Sequence, residues 1–194
     1  MRLFAAAAAL SALVVALLAS FAIATRDSQS FAPEERGVSA VCAHASQLAS
    51  ELGRRELRRA VRCLINQERR ARGATKLVRD PSLEHAAASH GKVMVATDCL
   101  EHRCPGEASL DNRIATAGYF DDSLKWEYAE NTGCAPSAEA MVTSWMASQT
   151  HRVYLVDRDF RDLGVGAVQT PVDSLCENDY ATFAIVVAWR ELDS

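Results

Sequence analysis

Lysine is scarce in this 194-residue chain, where Lys76, Lys92 and Lys125 are all the lysines among 21 basic residues. Against 25 acidic residues the net charge is −4, so the chain as a whole lacks the basic excess of a nucleic-acid binder. Glycine and proline are also few, at 9 and 5, which excludes a collagen-like repeat or a low-complexity tail as the whole molecule. Neither a phosphate-binding loop nor a glycine-rich dinucleotide turn is present. The Gly-x-Ser-x-Gly elbow of serine hydrolases is missing as well. What remains is 49% apolar and 24% charged, the composition of one ordinary globular domain.

The longest uncharged run lies at the start. Residues 1–24 carry Arg2 and then only uncharged residues, ending in Ala22-Ile23-Ala24. A basic residue, a long apolar stretch and a small-x-small site together predict a secretory signal peptide cleaved after Ala24. An uncleaved membrane anchor is the alternative, because the run is long enough to span a bilayer. Residues 25–37 are polar and without apolar period, and read as a linker. Residues 38–56 read as an N-terminal helical extension, and 57–192 as the folded domain.

An exported chain keeps its disulfides, and six cysteines form an even set: Cys42, Cys63, Cys99, Cys104, Cys134 and Cys176. Six thiols allow 15 pairings, and the sequence alone does not choose among them, although local geometry favours some. Cys42 and Cys63 flank Gly53 at similar distances and would meet if that glycine broke a helical hairpin. Cys99 with Cys104 would close a short loop, leaving Cys134 to reach Cys176. No Cys-x-x-Cys pair exists, which argues against a zinc site built on thiolates.

Apolar residues at Leu57, Ala60, Val61, Leu64 and Ile65 recur with helical spacing and end before Gly73. The other face carries Arg55, Arg58, Arg59, Arg62, Arg69 and Arg72. That stripe could meet phosphate, acidic glycan or an anionic surface, but Glu51, Glu56 and Glu68 interrupt it and favour a solvated face. Asp80-Pro81 is a helix start, and the helix to about Thr97 turns His90 inward, where a core role is the expectation. A short helix is predicted from Asp111 to Gly118. Another begins at Pro136 with an apolar face of Ala138, Met141, Val142, Trp145 and Met146. Leu163–Val168 and Ala181–Trp189 are rich in β-branched and aromatic residues and read as strands. Helices followed by strands, without regular alternation, predict an α+β fold with an antiparallel sheet.

The polar residues placed to do chemistry are His102, Glu130 and His151, each near the end of a regular element. Their spacing matches no compact metal motif. Individually, His102 would sit in a small disulfide loop, Glu130 would pair locally, and His151 with Arg152 would end a helix.

The blocks LINQERRARGATKLVRDPSLEHAAASHGKVM, NRIATAGY, AENTG, SWMASQTHR and DLGVGAV, in that order and with His102 before the second, resemble the CAP superfamily, or SCP domain, in its bacterial branch. That group contains cysteine-rich secretory proteins, venom allergens and plant pathogenesis-related proteins. The resemblance covers residues 57–190 and implies a three-layer α-β-α sandwich with a central antiparallel sheet. It also implies a cleft, in which eukaryotic members place two His and two Glu that in some cases bind zinc. His102 matches the first His and Glu130 the first Glu, with Ala129 where Gly is usual. The second Glu falls on Ser148 and the last His on Tyr180, so half of that set is present. His151 belongs to a bacterial block, with Thr150 in place of Gly.

Zinc on His102, Glu130 and His151 would make a metal-dependent hydrolase, one of two functional expectations. The other, preferred, is a secreted, monomeric, non-enzymatic protein whose cleft binds a small ligand such as a lipid or sterol, or a cell-wall or host-surface component.

Overall fold

A computed structural model describes residues 42–193. The leader 1–24, the linker 25–37 and the first residues of the extension therefore lie outside the described residues. Cys42 to Gly53 is not a helical arm: it runs through turns into a short 3-10 segment, Ala49–Glu51. Helix α1 (Arg54–Ala71) starts immediately after Gly53, three residues before the apolar period. The chain then forms β1 (Val78–Arg79), α2 (Pro81–Ala96), α3 (Leu110–Thr116), β2 (Ser123–Ala135), α4 (Ala138–Ala147), α5 (Gln149–Val156), β3 (Asp162–Val168) and β4 (Ala181–Leu192).

Local chemistry explains the boundaries. The Asp80 carboxylate accepts from Leu83 N–H at 2.9 Å and starts α2, and the Ser137 hydroxyl accepts from Ala140 N–H to start α4; both satisfy amides that a helix end leaves unpaired. After α3, Gly118 takes a φ of +83°, a conformation that favours glycine. Among the described residues no helix is long and apolar enough to cross a membrane.

The sheet order is β1-β3-β4-β2. β3, β4 and β2 are antiparallel. The two-residue β1 pairs parallel to β3, so the sheet is mixed at one edge rather than wholly antiparallel. Alternation along the strands divides the core. Leu163 and Val165 of β3 with Phe183, Ile185 and Val187 of β4 pack with Leu57 and Leu64 of α1 and Trp145 of α4. Ala184, Val186 and Ala188 of β4 pack with Leu83 and Met94 of α2 and with Ile114 of α3. Helices thus cover both faces, as the three-layer expectation requires.

Gly164 and Gly166 lie under α2: a Cβ on Gly164 would stand 2.1 Å from the Leu83 carbonyl carbon, and one on Gly166 2.4 Å from the Ala87 oxygen. No side chain fits between strand and helix there.

The disulfides are Cys42–Cys63, Cys99–Cys104 and Cys134–Cys176, one of the pairings left open by the sequence, and the first forms without a helical hairpin at Gly53. The arginine stripe of α1 does not stay together. Arg69 is fully buried and donates to the carbonyls of Thr75, Leu155, Asp157 and Phe160 at 2.6 to 3.1 Å. It clamps the ends of α1 and α5, a structural role in place of the solvated one expected. Arg72 pairs with Glu68 one turn earlier.

Candidate functional site

Glu130 stands near the middle of β2, opposite Val186 of β4, on the face covered by α2 and α3. Its carboxylate is buried and both oxygens are taken. Arg113 of α3 donates to Oε2 at 2.9 Å and to Oε1 at 3.2 Å. His102 Nδ1 donates to Oε1 at 3.1 Å. The same guanidinium donates to the His102 carbonyl at 2.9 Å, so Arg113 holds both the acid and the backbone of the loop that presents the imidazole. That loop is the ring closed by Cys99–Cys104.

Behind this contact the charges continue inward. His90, fully buried on α2, donates through Nδ1 to the Glu107 carboxylate at 2.9 Å. Its Nε2 lies 3.8 Å from Glu130 Oε1. Arg113 Nε lies 3.6 Å from Glu107. Glu130, Arg113, Glu107 and His90 therefore close a ring of alternating acids and bases, to which the His102 imidazole is attached through Glu130, and in which Glu107 also accepts from Cys104 N–H. Burial alone would raise the Glu130 carboxyl, but the hydrogen bonds from His102 and Arg113 outweigh it and hold the acid below its usual range. His102 is pushed up, chiefly by its hydrogen bond to Glu130. Its side chain remains 62% exposed, the one group of this cluster that reaches solvent freely.

The exposed His102 imidazole marks the mouth of this site, and His151 on α5 comes near it. Neighbouring residues of a strand point to opposite faces, and Asn131, next to Glu130, donates to the His151 carbonyl at 3.1 Å. His151 lies in the first turn of α5 rather than at a helix end. Partial burial, and then the charge of His102, lower its pKa, which places the two imidazoles in each other's field. Among the described residues no hydrogen bond or ion pair joins it to Glu130, whose partners are His102, Arg113 and His90.

Ser148 is the joint between α4 and α5, its hydroxyl bonded to that of Thr150. Tyr180 is elsewhere: it precedes Ala181, which pairs with Ala135, on the order of 20 Å along the strands from Glu130. The cleft set of His102, Glu130, His151, Ser148 and Tyr180 therefore loses Tyr180.

The proposed metal set also fails a fit test. Among the described residues no group of three or more His, Cys, Asp or Glu side chains is arranged to hold a metal ion. Arg113 occupies the anionic side of Glu130, where a second cation would be repelled, and His151 is not a third ligand. Among the described residues no cysteine is free to act as a nucleophile.

Three residues of the ring escaped the sequence reading. Arg113 had a visible signal, since it shares the inward face of α3 with Leu110, Ile114 and Ala117, where a charge needs a partner. Glu107 offered none, lying in an irregular loop. His90 was read as inward but without its partners.

A small disulfide-braced α-β-α sandwich, with an acid on an edge strand bound to an imidazole from a cross-linked loop, is the architecture of a CAP domain. The cysteine-rich secretory protein (CAP) family matches residues 63–187, and the chain belongs to that family.

Solved structures agree on the fold. An outer surface protein of Borrelia burgdorferi is similar with a TM-score of 0.57 at 19% identity, over 68% of this chain and 90% of that one. An extracellular SCP-domain protein of Bacillus anthracis gives 0.53 at 20% identity, over 70% and 44%. A cysteine-rich secretory protein of Staphylococcus aureus gives 0.50 at 18%, over 70% and 39%. The chain thus spans most of the first relative and less than half of the other two. None of the curated proteins matches it.

Proposed function

We propose that the protein is exported with removal of residues 1–24, and that its CAP domain acts as a monomer that binds a small ligand or surface component at the His102 mouth without turning it over. The carrying observation is that both oxygens of Glu130 are engaged by Arg113 and His102. A carboxylate so engaged is a poor general base and a poor metal ligand; it orients the His102 imidazole toward solvent. Three bridged cysteine pairs support export, since such bonds persist in oxidising compartments. Lipid or sterol, and cell-wall or host-surface components, are the ligand classes suggested by the family resemblance.

Native mass spectrometry on oxidised protein collected from the culture medium tests this reading, with His102→Ala and the His102→Ala, His151→Ala double variant beside it. A retained small ligand, released in the His102 variant and without zinc, is the expected result. One equivalent of zinc lost in the double variant, together with hydrolysis in an ester or peptide library, would overturn it in favour of a metal-dependent hydrolase.

A further inference from the structure

At the opposite edge of the sheet, the start of α1 and the β1–α2 corner enclose a groove of about 800 Å³ lined by six arginines and two glutamates. One of the two acids is already neutralised. Glu84 accepts from Arg58 at 2.7 Å and from Arg79 at 2.7 and 3.0 Å, and these bonds keep it ionised despite the burial that opposes it. The other, Glu56, folds back toward Gly53 at the helix start.

Arg54, Arg55, Arg59 and Arg62 make no ion pair among the described residues. Arg55, Arg59 and Arg62 are spaced four and three residues apart and share one helix face. Burial lowers the Arg62 pKa; the charge of Glu84 opposes this, and those of Arg79 and Arg59 add to it.

Stability does not account for this arrangement. Basic residues in the first turn of a helix oppose its dipole, and like charges so close together repel one another. Guanidinium groups meet phosphate oxygens through paired hydrogen bonds, and several converging on one groove suit an anion with several oxygens.

We propose that the Arg55–Arg59–Arg62 groove binds a ligand carrying two or more phosphate groups, with the Arg58–Glu84–Arg79 bridge fixing the far wall. It is distinct from the His102 mouth: β1 and β2 are the outer strands, three strand spacings or roughly 14 Å apart.

The test uses the purified, oxidised full chain and titrates pyrophosphate by calorimetry, with chloride as the reference anion. An Arg59→Glu, Arg62→Glu variant is compared with Arg72→Glu, outside the groove, and with His102→Ala; thermal melts confirm folding. Saturable pyrophosphate binding is expected, weakened at least about tenfold in the double variant and unchanged in the other two.

Vesicles of phosphatidylcholine with and without cardiolipin, whose headgroup carries two phosphates, distinguish the source of the phosphate. Binding to the anionic vesicles that competes with pyrophosphate assigns the groove to lipid headgroups, and binding of pyrophosphate alone assigns it to soluble phosphates. Either supports the site. Absence of binding in both formats, or equal loss in Arg72→Glu, overturns it. Loss of pyrophosphate binding in His102→Ala, with the double arginine variant unaffected, overturns it as well, since the anion then binds at His102.

Discussion

Glu130 depends on its partners to remain ionised in a buried place, and His102 depends on Glu130 for its raised pKa. The contact is fully formed between the ordinary carboxylate and imidazole values, about pH 4.5 to 6.5. A raised imidazole gives stability that fades as pH rises through its folded pKa; a depressed carboxyl gives stability that is lost as pH falls through its own. Arg113 sustains Glu130 on the alkaline side. Because His102 is largely exposed, its share is under about 1 kcal/mol, so the clearer readout is spectroscopic. In an NMR titration, Glu130→Gln is expected to return the His102 pKa toward about 6.5. An unchanged titration would show that Glu130 does not control that imidazole.

Strand β3 and helix α2 approach closely, because Gly164 and Gly166 put strand backbone against helix backbone. Gly166→Ala must push α2 away from the sheet. Urea unfolding is expected to show a loss of about 3 kcal/mol; a loss below about 1 kcal/mol would mean that the helix gives way easily.

The same scale explains what could be read from the sequence. Helices α1, α2 and α4 and strands β3 and β4 each bury a face, so their period or apolar run survives in the residues. Strand β2 does not, although it is the longest. It lies at the edge, its first half around Leu124 and Trp126 is exposed, and its inner half includes Glu130, Asn131 and Thr132, which serve the site and the turn of α4 rather than an apolar layer. Helix α5 is separated from α4 by Ser148 alone, and its polar start, Gln149 to Arg152, resembles a helix end.

His102 and Glu130 were recognisable through family blocks. Arg113, Glu107 and His90 were not joined to them, because loops and helices far apart in sequence converge only in the folded chain.

For the whole molecule, the three cross-links divide the labour unequally. The closed loops span 42 residues for Cys134–Cys176, 21 for Cys42–Cys63 and 5 for Cys99–Cys104. Loop entropy ranks their removal at about 4, about 3 and about 2 kcal/mol. Paired Cys→Ser variants followed by denaturant unfolding are expected to keep that order, and a reversed order would mean that strain or residual structure dominates.

The bridge that matters least for that ranking is the one that carries His102. Opening Cys99–Cys104 would leave the imidazole on an untethered segment, with Arg113 and Glu107 holding it through hydrogen bonds alone. The folded body would tolerate reduction better than the mouth does, so the cleft carries its own maturation check: it is completed by an oxidising environment and stays unfinished wherever thiols are kept reduced.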